Sequence, residues 1–191
     1  GWGGPVSVDT CQPAVMRAAL AAGAAMINDS RALRHPEAMA AVAASDCAVC
    51  LMHMQGKPGT MQDAPAYGDV VQEVREFLAA RVAAARVAGI DDCRLVLDPG
   101  FGFGKSLQHN IALFRTLTAT GVDDLPILVG ISRKSMLGAI TGRPVEQRLA
   151  ASIAAAILAA LKGAKILRVH DVADTSDALA VLAAIEEGEW Q

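Results

Sequence analysis

Aromatic side chains are scarce in this sequence of 191 residues: four phenylalanines, two tryptophans and one tyrosine, 4% of the chain. A core with so few rings must be filled by alanine and branched aliphatics, and the 53% hydrophobic content supplies them. Charge is also thin, at 19% with a formal net charge of −3. That balance describes a globular chain, not a disordered one. There is no basic run and no interleaving of basic with aromatic residues, which excludes the usual footprint of nucleic-acid binding. Long apolar runs are missing too. The longest, Leu149 to Leu161, is mostly alanine and too short to span a bilayer. The opening residues show neither a basic n-region nor an apolar h-region, so no signal peptide is expected. Four cysteines do not make a disulfide framework in a chain of this size. Cys47-Ala-Val-Cys50 has redox-motif spacing but falls in an apolar strand, where residues three apart point to opposite faces. These sulfurs are expected to be buried and apart, in a cytoplasmic protein.

What is present is a strand-then-helix rhythm. Short apolar segments bounded by turn residues, as buried parallel strands should be, run over Pro5–Asp9, Ala24–Asn28, Cys47–Met54, Arg94–Asp98, Ile127–Ser132 and Lys165–His170. Helical patterns follow over Pro13–Ala22, Pro36–Ala44, Val70–Ala88, Asn110–Ala119, Val145–Lys162 and Ser176–Glu187. Val71, Val74, Leu78, Val82 and Ala85 share one helix face, and so do Leu149, Ile153, Ile157 and Leu161. Gly23, Gly89, Gly163 and Gly188 stand just past helix ends, and Pro13, Pro36 and Pro144 near helix starts.

Each strand ends in a polar group: Asp9, Asn28, His53, Asp98, Ser132-Arg133-Lys134, and Arg168 with His170. Polar tips at one end of parallel strands describe the mouth of a (β/α)8 barrel; a doubly wound sheet gathers its site at one switch point instead. A closed barrel needs eight units and roughly 250 residues. Six units are legible here, opening on Gly1-Trp2-Gly3-Gly4, so either two units are missing at the N-terminal side or the sheet is not an ordinary barrel; the expected fold is a TIM-type α/β barrel, N-terminally truncated, with residues 1–191 as one partial domain.

The loop Gly100-Phe-Gly-Phe-Gly-Lys105 follows the Asp98-Pro99 tip. It misses the Walker spacing by one residue, and the residues after it delay the helix, so it reads as a βα loop at a site and not an NTPase loop. Arg168 and His170, two apart in a strand, share a face. They suit a phosphate or pyrophosphate, or an ion pair with a tip acid such as Asp98. Of Arg133 and Lys134, one must reach the mouth. Asp9, Asn28 and Asp98 together suit a flat heterocycle with an N–H edge, because carboxylates accept paired N–H donors. The four histidines show no metal-ligand spacing.

Ser7-Val-Asp-Thr10, Ile27-Asn-Asp29, Leu51-Met-His-Met-Gln-Gly56, Asp98-Pro-Gly-Phe-Gly-Phe-Gly-Lys105, Gly130-Ile-Ser-Arg-Lys-Ser135 and Arg168-Val-His-Asp171 resemble the dihydropteroate synthases, in the family's order and over Val6 to Ile185. The resemblance implies a pterin-binding barrel of folate biosynthesis. Such a transferase joins 4-aminobenzoate to 6-hydroxymethyl-7,8-dihydropterin diphosphate and releases pyrophosphate. It implies that Asp9, Asn28 and Asp98 hold the pterin edge, that Lys134 contacts the pterin and positions the aminobenzoate, and that Arg168 and His170 take the pyrophosphate. Phe103 and Ser135 lie toward the aminobenzoate, where sulfonamides compete. It further implies magnesium, through an asparagine ligand on family strands that have no counterpart here, and a homodimer through the last helices. Asp98 and Lys134 are the residues expected to carry the chemistry. A non-catalytic pterin-binding module and a pterin-using methyltransferase are the alternatives; the Ser-Arg-Lys-Ser and Arg-Val-His tips argue against the latter, whose chemistry has no pyrophosphate to hold.

Overall fold

The computed structural model describes residues 3–56 and 59–187. Its elements are β1 (Ser7–Asp9), α1 (Pro13–Ala21), β2 (Met26–Asp29), α2 (Pro36–Ala43), β3 (Ala48–Met52), α3 (Val70–Val87), β4 (Leu95–Asp98), α4 (Leu107–Arg115), β5 (Leu128–Val129), α5 (Ser135–Thr141), α6 (Leu149–Leu161), β6 (Ile166–Leu167) and α7 (Val172–Glu187). Every strand pair is parallel and the spatial order is the chain order. The β1–β4 sheet meets the β5–β6 pair through the Leu97–Ile127 bridge and the Leu97 N–H to Pro126 C=O bond of 2.9 Å. Sequential order without a reversal is a barrel wall, not a doubly wound sheet. The six strands fill six of the eight positions of a (β/α)8 barrel. Among the described strands, β1 and β6 each have a single neighbour.

Strand parity separates two layers. Val49, Leu51, Leu95 and Leu97 point outward into the main core, where Val74, Leu78 and Val82 of α3 meet them, all fully or nearly fully buried. Cys50, Val96 and Leu128 point inward and form a second small cluster with Met26 and Ile166. Cys47 belongs to the first cluster and Cys50 to the second, both as free thiols, as their spacing predicts. Gly23, Gly89 and Gly163 close their helices with φ between 85° and 90°. Gly188 lies outside the described residues, as do Gly1 and Trp2. No helix among the described residues is long and apolar enough to cross a membrane.

Three helical expectations need correction. The helix after the glycine loop is not delayed: it starts at Leu107, because Ser106 accepts the His109 N–H and His109 Nδ1 accepts the Ser106 N–H, a capping box written with histidine. A seventh helix, α5, follows the Ser132-Arg133-Lys134 tip. It has seven residues, a central glycine and no side-chain cap, so it leaves no periodic signal. In α6 the face that packs inward is Ser152, Ala155, Ala156 and Ala159, while Leu149, Leu158 and Leu161 are 40%, 49% and 55% exposed. An uncharged helix gives periodicity nothing to phase against. The small residues face the protein, and the Ser152 hydroxyl accepts the Arg133 N–H at 2.9 Å.

The segment after β2 is held from outside. Arg81 of α3 donates to the carbonyls of Ala32 and Leu33 at 2.7 and 2.9 Å, and both residues have positive φ (51° and 54°). The buried Asp29 carboxylate accepts the Arg31 and Leu33 N–H groups at 2.8 Å each. These bonds stabilise a strained turn immediately beyond Asn28.

Candidate functional site

The inward positions at the C-terminal strand ends are Asp9, Asn28, Met52, Asp98, Gly130 and Arg168. The ladder register places Asp9 beside Asn28, Asn28 beside Cys50 and Cys50 beside Val96. Asp98 therefore stands one inward position farther along the barrel, through the stagger that closes such walls.

Asp98 is 6% exposed, and its Oδ1 accepts the Gly100 N–H at 2.7 Å. Burial pushes its carboxyl up to about 6, against the Gly100 N–H and the charges of Lys134, Lys105 and Arg168, which pull it down. At neutral pH it is an anion in a cleft that it shares with cations. That cleft, of about 350 Å³, is lined by Asp98, Phe103, Lys134, Arg168 and His170 among others. Lys134 Nζ lies 4.0 Å from the centre of the Phe103 ring and donates to Phe101 O at 2.9 Å. Burial lowers its pKa from the usual lysine value. Arg133 turns away to pair with Asp171, so of the two adjacent cations it is Lys134 that reaches the mouth.

A second cavity of about 220 Å³ adjoins, lined by Asp9, Asn28 and again Arg168. Arg168 divides the two and pairs with Asp9 at 3.1 Å, so the acid that it meets is Asp9 and not Asp98. Asn28 Nδ2 donates to Asp9 at 3.3 Å, while Asn28 Oδ1 is buried with no partner. An orphan buried acceptor beside the Asp9 carboxylate calls for a ligand donor. Arg168 and His170 lie beyond the last ladder pair of β6, yet both line the larger cleft, with His170 Nδ1 3.1 Å from Ser132 Oγ.

Two expected residues stand elsewhere. Ser135 opens α5, is exposed, and lines neither cavity. His53 is not at the mouth. Parity from the inward Cys50 makes Met52 inward and His53 outward, and it is buried between Phe77 (4.9 Å, edge-on) and Lys105. Sequence reasoning missed the groups that hold the glycine loop. Asn110 Oδ1 accepts the Gly102 N–H at 2.8 Å, Tyr67 donates to Gly104 O at 2.8 Å, and Lys105 sits beneath. Their partners lie in other turns, and no local pattern marks them.

Among the described residues no three His, Cys, Asp or Glu side chains converge as metal ligands. The one carboxylate shown at the Arg168 pole, Asp9, is taken by Arg168 and by Asn28 Nδ2, and a lone carboxylate so engaged does not make a magnesium site.

Compared with known proteins, residues 2–170 match the family model for pterin binding enzymes. The dihydropteroate synthase of Escherichia coli K12 is 48% identical over 179 residues, which cover 94% of this chain. The chain spans 64% of the length of that relative. Among solved structures, dihydropteroate synthase of Burkholderia cenocepacia complexed with 7,8-dihydropteroate superposes with a TM-score of 0.91 at 53% identity, covering 96% of this chain and 69% of that one. The Xanthomonas albilineans enzyme with 4-aminobenzoic acid gives a TM-score of 0.89 at 55% identity, covering 95% and 65%.

Proposed function

The chain belongs to the pterin binding enzyme family, and we propose that it carries the pterin and diphosphate sites of a dihydropteroate synthase. The observation that carries this reading is Asp98: a buried carboxylate, ionised at neutral pH, in one cleft with Lys134 and Arg168. Asp98, Asp9 and the unpartnered Asn28 Oδ1 suit the N–H edge of a pterin. Arg168 and His170 suit the diphosphate, and Phe103 over Lys134 gives the aminobenzoate ring an apolar wall beside a cation. Ser135 is proposed as a rim contact for the aminobenzoate.

The reaction that fits is a substitution at the pterin methylene. The C–O bond to the diphosphate breaks with the electron pair leaving on pyrophosphate, the aminobenzoate nitrogen forms the C–N bond, and its proton departs. Ser132 Oγ lies 3.1 Å from His170 Nδ1 in this cleft, but Ser132 is buried and its oxygen also accepts the His170 backbone N–H, so that pair has no covalent role in this proposal. The cleft offers positioning and fixed charge, with cations where pyrophosphate charge builds and an anion at the N–H edge of the electron-poor pterin. Magnesium is proposed only as a counter-ion of the diphosphate, without a protein ligand among these residues.

Dihydropteroate formation from both substrates tests the proposal; pterin binding with no product at high protein concentration rejects catalysis and leaves a binding module. Arg168→Ala is expected to weaken pyrophosphate binding by tenfold or more, since a charge-assisted Arg contact contributes about 1.5–3 kcal/mol. Titration calorimetry measures it, and an unchanged affinity removes Arg168 from the diphosphate site.

A cytoplasmic homodimer completes the proposal. The exposed Leu158 and Leu161 of α6, with Val181 and Ile185 of α7 at 59% and 75% exposure, support a second copy covering this side. Sedimentation velocity is expected to show a dimer that Leu161→Glu weakens.

A further inference from the structure

Every carbonyl of the glycine loop, Gly100 to Gly104, is taken by a side chain. Lys134 holds Phe101 O, Gln62 holds Gly102 O and Tyr67 holds Gly104 O. Lys105 holds two, donating from Nζ to Gly100 O at 2.9 Å and Phe103 O at 3.1 Å. Its third N–H meets His53 Nδ1 at 2.9 Å. Burial lowers the Lys105 pKa to about 7, and the three acceptors match the three N–H donors of its ammonium form. His53 serves as the acceptor because burial, then the Lys105 charge, pushes its pKa down to about 3, leaving a neutral ring at physiological pH.

Lys105 is 3% exposed and lines neither cavity. Burying an ammonium is costly, and an apolar side chain would fill the same space at less expense. What an apolar side chain cannot do is set the direction of two carbonyls in a loop whose three glycines all have positive φ. Those directions place the Phe103 ring over Lys134 and keep the Gly100 N–H on Asp98.

We propose that Lys105, seated on His53, is the positioning residue of this cleft: it fixes the 100–104 loop and through it the Phe103 wall beside Lys134. The substrate-side consequence rests on the functional reading above; the loop-fixing role does not.

Hydrogen exchange with mass spectrometry on the whole ligand-free chain reads the loop directly. In Lys105→Met, amides of residues 100–106 are expected to exchange about tenfold faster or more, with β1 and β2 unchanged. Unchanged exchange across 100–106 overturns the proposal, whether or not the chain binds a pterin. If Lys105→Met fails to fold, His53→Leu and His53→Gln make the same comparison. Glutamine keeps an acceptor for Lys105 and leucine does not. Loosening confined to the leucine variant supports the proposal, and equal behaviour overturns it. In turnover, Lys105→Met is expected to raise KM for 4-aminobenzoate about tenfold while KM for the pterin diphosphate stays within about threefold. Equal losses for both substrates reduce Lys105 to a structural residue. A wild-type chain that binds no pterin diphosphate rejects the functional reading, and the exchange result then stands by itself.

Discussion

Asp98→Asn is expected to weaken binding of the pterin diphosphate by a hundredfold or more. The carboxylate is buried, ionised at neutral pH and aimed into the larger cleft. Hydrogen bonds to a buried charge contribute about 1.5–3 kcal/mol each, and a pterin edge offers two donors to one carboxylate. Asparagine keeps the size but presents an N–H2 where an acceptor is needed, so one contact is lost and another becomes a donor facing a donor. Gly100 N–H still finds the amide oxygen, and the fold is expected to survive. Equal thermal unfolding with lost binding separates this outcome from misfolding.

The same carboxyl predicts a pH dependence with a definite sign. Its pKa stands near 6 in the ligand-free protein, raised first by burial. A ligand that binds the ionised form competes with the proton. Affinity therefore falls toward tenfold per pH unit below about 6 and is level just above it. Asp98→Asn is expected to flatten this profile between pH 5 and 7. A wild-type profile that is already flat there would place the pterin edge away from Asp98.

Gly100→Ala is expected to be the most damaging small substitution in the site. Gly100 has φ 71°, and a β-carbon added there collides with the backbone carbonyl oxygen of His53. Backbone cannot yield as a side-chain tip does, so β3 and the loop must separate. That movement breaks the Gly100 N–H bond to Asp98 and the Lys105 bond to Gly100 O. Strain and lost bonds together cost about 3 kcal/mol, and in a chain of this size that lowers Tm by about 10 °C. Differential scanning calorimetry measures it. Gly23→Ala provides the control: it shares a positive φ but has nothing within 4 Å of the added carbon, so it is expected to cost about 1 kcal/mol.

The inner face of the barrel was legible because strands alternate with period two. Asp9, Asn28 and Asp98 were readable as polar residues that end apolar strands, and the alternation happens to turn all three inward. The same parity, counted from Cys50, puts His53 on the outer side, and counting only chain ends hid this. Pairing between distant elements was not legible. Arg168 meets Asp9 because the last strand approaches the first across the barrel interior, and no local pattern encodes that contact. The α6 face escaped for a different reason: with no charged residue between Leu149 and Leu161, every face of the helix looks buried. Lys105 reads as one more loop cation until the three acceptors around it are seen.

Titration calorimetry of this chain with 6-hydroxymethyl-7,8-dihydropterin diphosphate at pH 7.5, wild type beside Asp98→Asn, tests the central claim most directly. One site of binding in the wild type, lost in the folded variant, is the result that a pterin site organised by Asp98 requires. No binding by a wild-type chain shown to be folded by circular dichroism, or equal binding by both chains, would contradict it.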